Sequence, residues 1–171
     1  MTAVGEVART GRVELREILP AEAENLAAGG SGGIGWVPDG PYRGTRDACT
    51  GMTRAVQAGG YEPAWGVFAI IRLEDGAAVG GIGFHGPPSD GVAEIGYDLA
   101  ASARGNGYAT EAARLLVARA LARPGVSHLI AHTEPGNTAS QAVLTRVGFE
   151  RDGVGADDLY RFVLRGGSEV A

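Results

Sequence analysis

Carboxylates, hydroxyls and glycines with the spacing to do chemistry concentrate in two short stretches of this chain. The first, Val92 to Thr110 (VAEIGYDLAASARGNGYAT), reads as a strand, a loop over Ala100 to Ala103 and the start of a helix. Along the strand Ala93, Ile95, Tyr97 and Leu99 alternate with Val92, Glu94, Gly96 and Asp98, so one face is apolar and the other carries two carboxylates side by side. Arg104-Gly105-Asn106-Gly107-Tyr108-Ala109-Thr110 then opens a long amphipathic segment. The first turn of a helix leaves N–H groups unpaired and carries about half a positive charge, and glycines let the backbone approach closely, which suits a phosphate or pyrophosphate. A dinucleotide fingerprint does not fit, because Thr110 stands where its third glycine would be. A Walker loop is excluded because the chain contains no lysine.

The second stretch is Asn137-Thr138-Ala139-Ser140 with Val143-Leu144 and Gly148-Phe149, the pattern N-x-x-S-x-x-V-L-x-x-x-G-F directly after a predicted strand. Arg104-x-x-Gly107-x-Ala109 resembles the coenzyme signature of the GNAT superfamily of acetyl-CoA-dependent N-acetyltransferases. The second stretch resembles that superfamily's next motif, in the version of the RimJ/RimL-like subgroup. Together the motifs cover residues 92 to 149, and the order of predicted elements extends the resemblance over nearly the whole chain.

The resemblance implies a mixed α/β fold of the GNAT type. Its central, mostly antiparallel sheet has about six to seven strands, splays between the fourth and fifth, and is flanked by about four helices. It implies acetyl-CoA as cofactor, with the pantetheine arm against Tyr97, Asp98 and Leu99 and the pyrophosphate against Arg104, Gly105, Asn106, Gly107, Tyr108, Ala109 and Thr110. The reaction it implies is direct attack of a primary amine on the thioester in a ternary complex, the acceptor being a protein or peptide N-terminus or a small-molecule amine. Glu94 takes the position of the subgroup's general base, acting directly or through water; the same residue also fits as a solvated glutamate on a polar strand face. Leu144 stands where many members carry an acidic tyrosine, and Ser140 takes the position that serves the leaving thiolate in the subgroup, or is a small polar residue of a first helical turn. Asn137 fits both a pantetheine contact and a helix cap. A non-catalytic CoA-binding or acyl-CoA-sensing protein on the same fold is the alternative reading.

The elements that position these residues follow from periodicity and turn signals. Val13 to Ile18 is a first strand, Pro20 to Ala28 a short helix, and Thr45 to Ala58 a second helix with Thr45 as cap. Between them Gly29 to Gly44 is too rich in glycine and proline for regular structure; it carries Trp36 and Tyr42, and is expected to be a mobile lid or acceptor wall, or a surface connection with two tucked rings. Trp65 to Leu73 and Ala78 to Phe84 form a hairpin, with Gly80, Gly81 and Gly83 marking a bulge or a close backbone approach. After Gly107 a third helix runs to about Arg123, a fifth strand over His128 to Thr133, a fourth helix over Thr138 to Val147, and a last hairpin over Phe149 to Val154 and Leu159 to Arg165.

With 171 residues the chain suits one domain, residues 1–11 and 166–171 being loose. A net charge of −5 without a basic cluster argues against nucleic acid as a partner. No apolar run reaches the roughly 18 residues needed to span a membrane, and no signal-peptide core opens the chain, so the expected location is the cytoplasm. The expected partner is the amine acceptor, with a homodimer possible. The single cysteine, Cys49, lies among polar residues with no electropositive setting to activate it. Of the three histidines, His128 and His132 share a strand face about 13 Å apart, too far to chelate a metal. His85, in the loop before the central strand, is the candidate on the acceptor side.

Overall fold

The computed structural model describes residues 7–9 and 11–166. Its core is an eight-stranded sheet in the order β1-β2-β3-β4-β5-β6-β8-β7. The strands are β1 (Val7–Arg9), β2 (Val13–Glu17), β3 (Val67–Arg72), β4 (Ala78–Phe84), β5 (Val92–Leu99), β6 (His128–Thr133), β7 (Glu150–Val154) and β8 (Tyr160–Arg165). The helices are α1 (Pro20–Ala27), α2 (Arg43–Ala58), α3 (Tyr108–Leu121) and α4 (Thr138–Val147). This is the mixed α/β arrangement expected, with one strand more: Val7–Arg9, within the segment expected to be loose, pairs antiparallel with β2. The remaining residues of the two segments expected to be loose, Gly11 and Gly166 apart, lie outside the described residues. The predicted fourth and fifth strands are therefore β5 and β6.

Every neighbouring pair in the sheet is antiparallel except β5 and β6. Those two pair in parallel over Val92↔His128, Ala93↔Leu129 and Glu94↔Ile130 alone, although β5 continues to Leu99 and β6 to Thr133. The sheet splays from that point on.

Helix α3 covers one face. Its buried positions Ala109, Ala112, Ala113, Leu116, Val117 and Ala120 follow helical spacing, and the alanines let the helix lie close against the inward side chains of β5, Ala93, Ile95 and Leu99. Burying Leu116 fully stabilises this packing by about 1.5–3 kcal/mol. Helices α1 and α2 cover the other face through a second cluster that includes Ile18, Leu26, Cys49 and Met52. Among the described residues no helix is long and apolar enough to cross a membrane.

Helix α2 starts two residues before the expected cap. Tyr42 precedes its first residue and no side chain of the flanking loop caps it. Thr45 sits inside the first turn, and its N–H donates to Asp98 Oδ2 on β5 at 3.0 Å while its hydroxyl donates to Asp98 Oδ1 at 2.5 Å. A carboxylate from the sheet thus takes the place of a local cap, where unpaired N–H groups and the helix dipole favour a negative charge.

The glycines of β4 are sites of close approach. A Cβ on Gly80 would lie 2.2 Å from the Asp98 carbonyl oxygen, and one on Gly83 would lie 2.5 Å from the Gly66 carbonyl oxygen. The register of β3 on β4 shifts between Ile70 and Ile71, so the glycine-rich strand carries both an irregularity and a close approach. Gly80→Val is expected to destabilise the fold by more than about 2 kcal/mol in urea unfolding. Gly51→Ala, in α2 where an added Cβ meets nothing within 4 Å, is expected to stabilise it by about 0.5–1 kcal/mol. Equal effects of the two substitutions would contradict this assignment of the β4 glycines.

Candidate active site

Past Glu94 and Ile130 the β6-facing edge of β5 has no strand partner among the described residues. The gap is bordered on the α4 side by Tyr97, whose phenol donates to the Ser140 carbonyl at 3.0 Å and lies 2.8 Å from Ser140 Oγ. Burial pushes the Tyr97 phenol up to about 12, so it stays protonated at neutral pH. Asn137 Oδ1 accepts from the Ser140 N–H at 3.1 Å and caps α4. Asn137, Tyr97 and Ser140 therefore meet at one end of the gap, and Leu144 is buried in the core beneath them.

The loop from Arg104 to Gly107 lies at the N-terminus of α3. Gly107 takes φ +84° immediately before the helix, a left-handed conformation that favours glycine, and no side chain caps the helix there. Arg104, Gly105 and Asn106 are exposed, whereas the side chains of Tyr108, Ala109 and Thr110 are buried, and the backbone N–H groups of this first turn have no intrahelical partners. Arg104 is partly engaged: its guanidinium lies 4.8 Å over the Tyr42 ring and its Nε donates to the Leu99 carbonyl at 3.2 Å. Asn106 folds its amide back onto the carbonyls of Ala103 and Arg104. An exposed, glycine-bearing loop at an uncapped helix N-terminus beside an open strand edge fits a ligand that carries both a pyrophosphate and an amide-containing arm.

On the α2 face of the sheet, a cavity of about 500 Å³ lies between α2 and β4 and reaches β5 at Gly96, Tyr97 and Asp98. His85 stands at that end. Its ring lies over Gly96, where a Cβ would come within 2.8 Å of Nε2, and its Nδ1 is 3.4 Å from Glu94 Oε2. The same Glu94 oxygen lies 2.8 Å from His132 Nδ1 on β6. Burial pushes the Glu94 carboxyl up, but hydrogen bonds from His85 and His132 outweigh it and hold the group below its usual range. The Glu94 contact raises His85 in turn, against the opposing effect of burial. Asp98, the other carboxylate on this face, is raised by burial in spite of its bonds to Thr45, and its oxygens are committed to α2.

Sequence reasoning missed the contact between Glu94 and His132. Only the parallel register of Glu94 on Ile130 brings His132, two residues further on, to the same face. Trp36 and Tyr42 do not line the cavity. Trp36 bridges to Ala78 and donates its Nε1–H to the Ser31 carbonyl at 2.9 Å, and Tyr42 lies under Arg104. The loop that carries them is tied down rather than free as a lid: Asp39 accepts from Ser102 N at 2.9 Å and Oγ at 2.5 Å, and Arg46 donates to the carbonyls of Leu26 and Gly30 at 2.8 Å each. His128 bonds Ser127 Oγ on the surface, apart from Glu94. Cys49 is fully buried and burial pushes its thiol up to about 11, so it is not a nucleophile at neutral pH.

Residues 12–150 match the family described as the acetyltransferase (GNAT) domain. The chain belongs to the GNAT family. Among curated proteins, an N-acetyltransferase of Bacillus subtilis, YjdG, is 41% identical over 81 residues, which cover 47% of this chain and 48% of the relative. The N-acetyltransferase p20 of Bacillus licheniformis is 33% identical over 107 residues, covering 57% of this chain and 60% of the relative. The chain thus spans about half the length of the curated relatives it matches. Among solved structures, the apo crystal form of RimL, the ribosomal L7/L12 alpha-N-protein acetyltransferase, superposes with TM-score 0.68 at 20% identity, covering 95% of this chain and 96% of RimL. RimJ of Mycobacterium smegmatis, solved with CoA-disulfide, superposes with TM-score 0.64 at 23% identity, covering 93% of this chain and 86% of RimJ. The GNAT fold is shared with both.

The cluster of His85, Glu94 and His132 gives stability a defined pH dependence. The lowered Glu94 contributes stability above its unfolded pKa near 4.5 and loses it as pH falls through the folded value. The raised His85 contributes stability below its unfolded pKa near 6.5 and loses it as pH rises through the folded value. The Tm difference between the wild type and His85→Gln is therefore expected to be largest between pH 4.5 and 6.5 and to shrink on both sides. A difference independent of pH would contradict the pairing.

Proposed function

We propose that this chain, as a single domain, transfers an acetyl group from acetyl-CoA to a primary amine by direct attack in a ternary complex. The observation that carries the reading is the parting of β5 from β6 between an anion-suited loop and a cavity that reaches His85, beside the buttressed carboxylate of Glu94. The shared family and the CoA-bound RimJ neighbour support the choice of donor.

Acetyl-CoA supplies the thioester carbon that the amine nitrogen attacks and the thiolate that departs. Its pyrophosphate is assigned to the backbone of Gly105 to Thr110 together with Arg104, and its pantetheine arm to the open edge of β5 at Tyr97, Asp98 and Leu99, with Asn137 across the gap. The Leu99 carbonyl already accepts from Arg104, so the residue's N–H is its freer group. On the acceptor side Glu94 receives the proton that the amine loses, directly or through water. Deprotonating an α-amine of pKa about 8 costs only about 1.4 kcal/mol at pH 7, whereas a lysine-like amine of pKa about 10.4 costs about 4.6. A carboxylate held below its ordinary pKa is a weak base, so its importance grows with the pKa of the acceptor. On the other side of the gap Ser140 offers a hydroxyl proton to the leaving sulfur, and the protonated Tyr97 phenol beside it holds that hydroxyl in place.

Two measurements test this. Thiol release from acetyl-CoA against a panel of amines and N-terminal peptides is expected to reveal turnover, and Glu94→Gln is expected to lower kcat about a hundredfold or more on a high-pKa amine and far less on an α-amine. An unchanged rate on the high-pKa amine would remove Glu94 from the mechanism. Gly107→Val is expected to abolish CoA binding in calorimetry; unaltered affinity would overturn the phosphate assignment. Stabilisation by CoA without turnover on any acceptor would favour the non-catalytic, CoA-sensing alternative.

A further inference from the structure

The cavity between α2 and β4 has the size and chemistry to select its occupant. We infer that it takes a compact primary amine with an apolar body and no carboxylate; that this amine is the acetyl acceptor rests on the reading given above.

The volume of about 500 Å³ lies within the roughly 300–1,000 Å³ typical of pockets for small molecules. Its walls are largely apolar. Ala48, Met52 and Ala55 line it from α2, opposite Val67 of β3 and the bare surface of β4 at Gly81 and Gly83; Ile82 and Phe84, alternating with those glycines, turn their side chains to the α3 face. The floor offers a peptide nothing to bond with. β4 lies inside the sheet, with Gly83 paired to Val67 on one side and to Gly96 on the other, so its backbone N–H and C=O groups serve β3 and β5. An extended peptide adds to a free strand edge; β4 offers none, and the open edge of β5 at the cavity's end is the one assigned to the pantetheine arm.

Charge narrows the choice further. The charged side chains in the lining are carboxylates, exposed Asp47 and Glu62 on the rim and Asp98 at the inner end, with the imidazole of His85 backed by Glu94. Among the described residues no arginine lines the cavity, and the chain has no lysine. An ammonium group is attracted into this field, whereas an acceptor with its own carboxylate, such as a free amino acid, meets like charge, the basic group of the lining, His85, being already paired with Glu94. The apolar body then lies among Ala48, Met52, Ala55 and Val67, while the nitrogen is directed toward the β5 end where His85 stands beside Glu94.

Gly51 provides the variant. It lines the cavity from α2, an added Cβ meets nothing within 4 Å, and a leucine there favours helix over glycine, so Gly51→Leu fills space without disturbing the fold. The experiment is calorimetric titration of the CoA-loaded protein with 2-phenylethylamine, with phenylalanine and with a short peptide bearing a free N-terminus, run beside thiol release from acetyl-CoA with each. The expected result is binding of 2-phenylethylamine at least about tenfold tighter than of phenylalanine or the peptide, weakened about tenfold or more by Gly51→Leu with CoA affinity unchanged. Phenylalanine or the peptide binding as tightly as the amine, or indifference of amine binding to Gly51→Leu, would overturn the inference. The expected binding order without thiol release would support the ligand class of the cavity and overturn acetyl transfer instead; thiol release with the peptide alone would keep acetyl transfer and overturn the inference.

Discussion

Beyond Glu94 the backbone of β5 has, among the described residues, a strand on one side only. On the β4 side it is paired from Ile95↔Phe84 to Leu99↔Gly80, and on the other side the parallel ladder has already ended at Glu94↔Ile130. Peptide groups withdrawn from water need partners, and an unsatisfied one costs about 1–3 kcal/mol. An open strand edge inside a sheet is therefore tolerated only where solvent or a ligand can serve it. The rest of the site is arranged around that opening: the α3 N-terminus at one end, Ser140 and Tyr97 beside it, and Glu94 at the point where the strands part.

Two tethers hold the opening in shape from opposite faces. On the α3 and α4 face, Tyr97 reaches from β5 to Ser140 and fixes the first turn of α4 relative to the strand. On the α2 face, Asp98 takes the amide and hydroxyl of Thr45 and fixes the first turn of α2. Neighbouring residues of one strand point to opposite faces, so consecutive side chains anchor both helices that border the site. The close approach of α2 is made possible by missing side chains: a Cβ on Gly44 would lie 2.5 Å from Asp98 Oδ2, and one on Gly81 would lie 2.5 Å from Thr45 Oγ1. The same small residues leave open the cavity that α2 would otherwise fill.

What was legible in the sequence and what was not divides along the range of the interactions. The bounds of β6 and α4, the start of α3 after Gly107 and the cap by Asn137 rest on signals within a few residues, and the structure reproduces them. The two faces of β5 follow from its alternation. Thr45 looks like a cap from its neighbours alone, but the partner of its hydroxyl is 53 residues away, and the helix begins before it. The contact of Glu94 with His132 spans 38 residues and depends on a parallel register that no local pattern encodes. Trp36 and Tyr42 share a glycine-rich loop that resembles a lid in composition; Asp39 and Arg46, whose partners lie elsewhere in the chain, decide that it is held in place.

The parted strands are the proposed seat of the donor. A crystal structure of the chain grown with acetyl-CoA tests it most directly. The expected result is the pantetheine arm hydrogen-bonded along β5 at Tyr97 to Leu99, the pyrophosphate on the Arg104 to Thr110 loop, and the thioester between Glu94 and Ser140. Electron density for the coenzyme elsewhere on the molecule, or closure of the gap by β5–β6 pairing beyond Glu94 and Ile130 with no coenzyme bound, would contradict it.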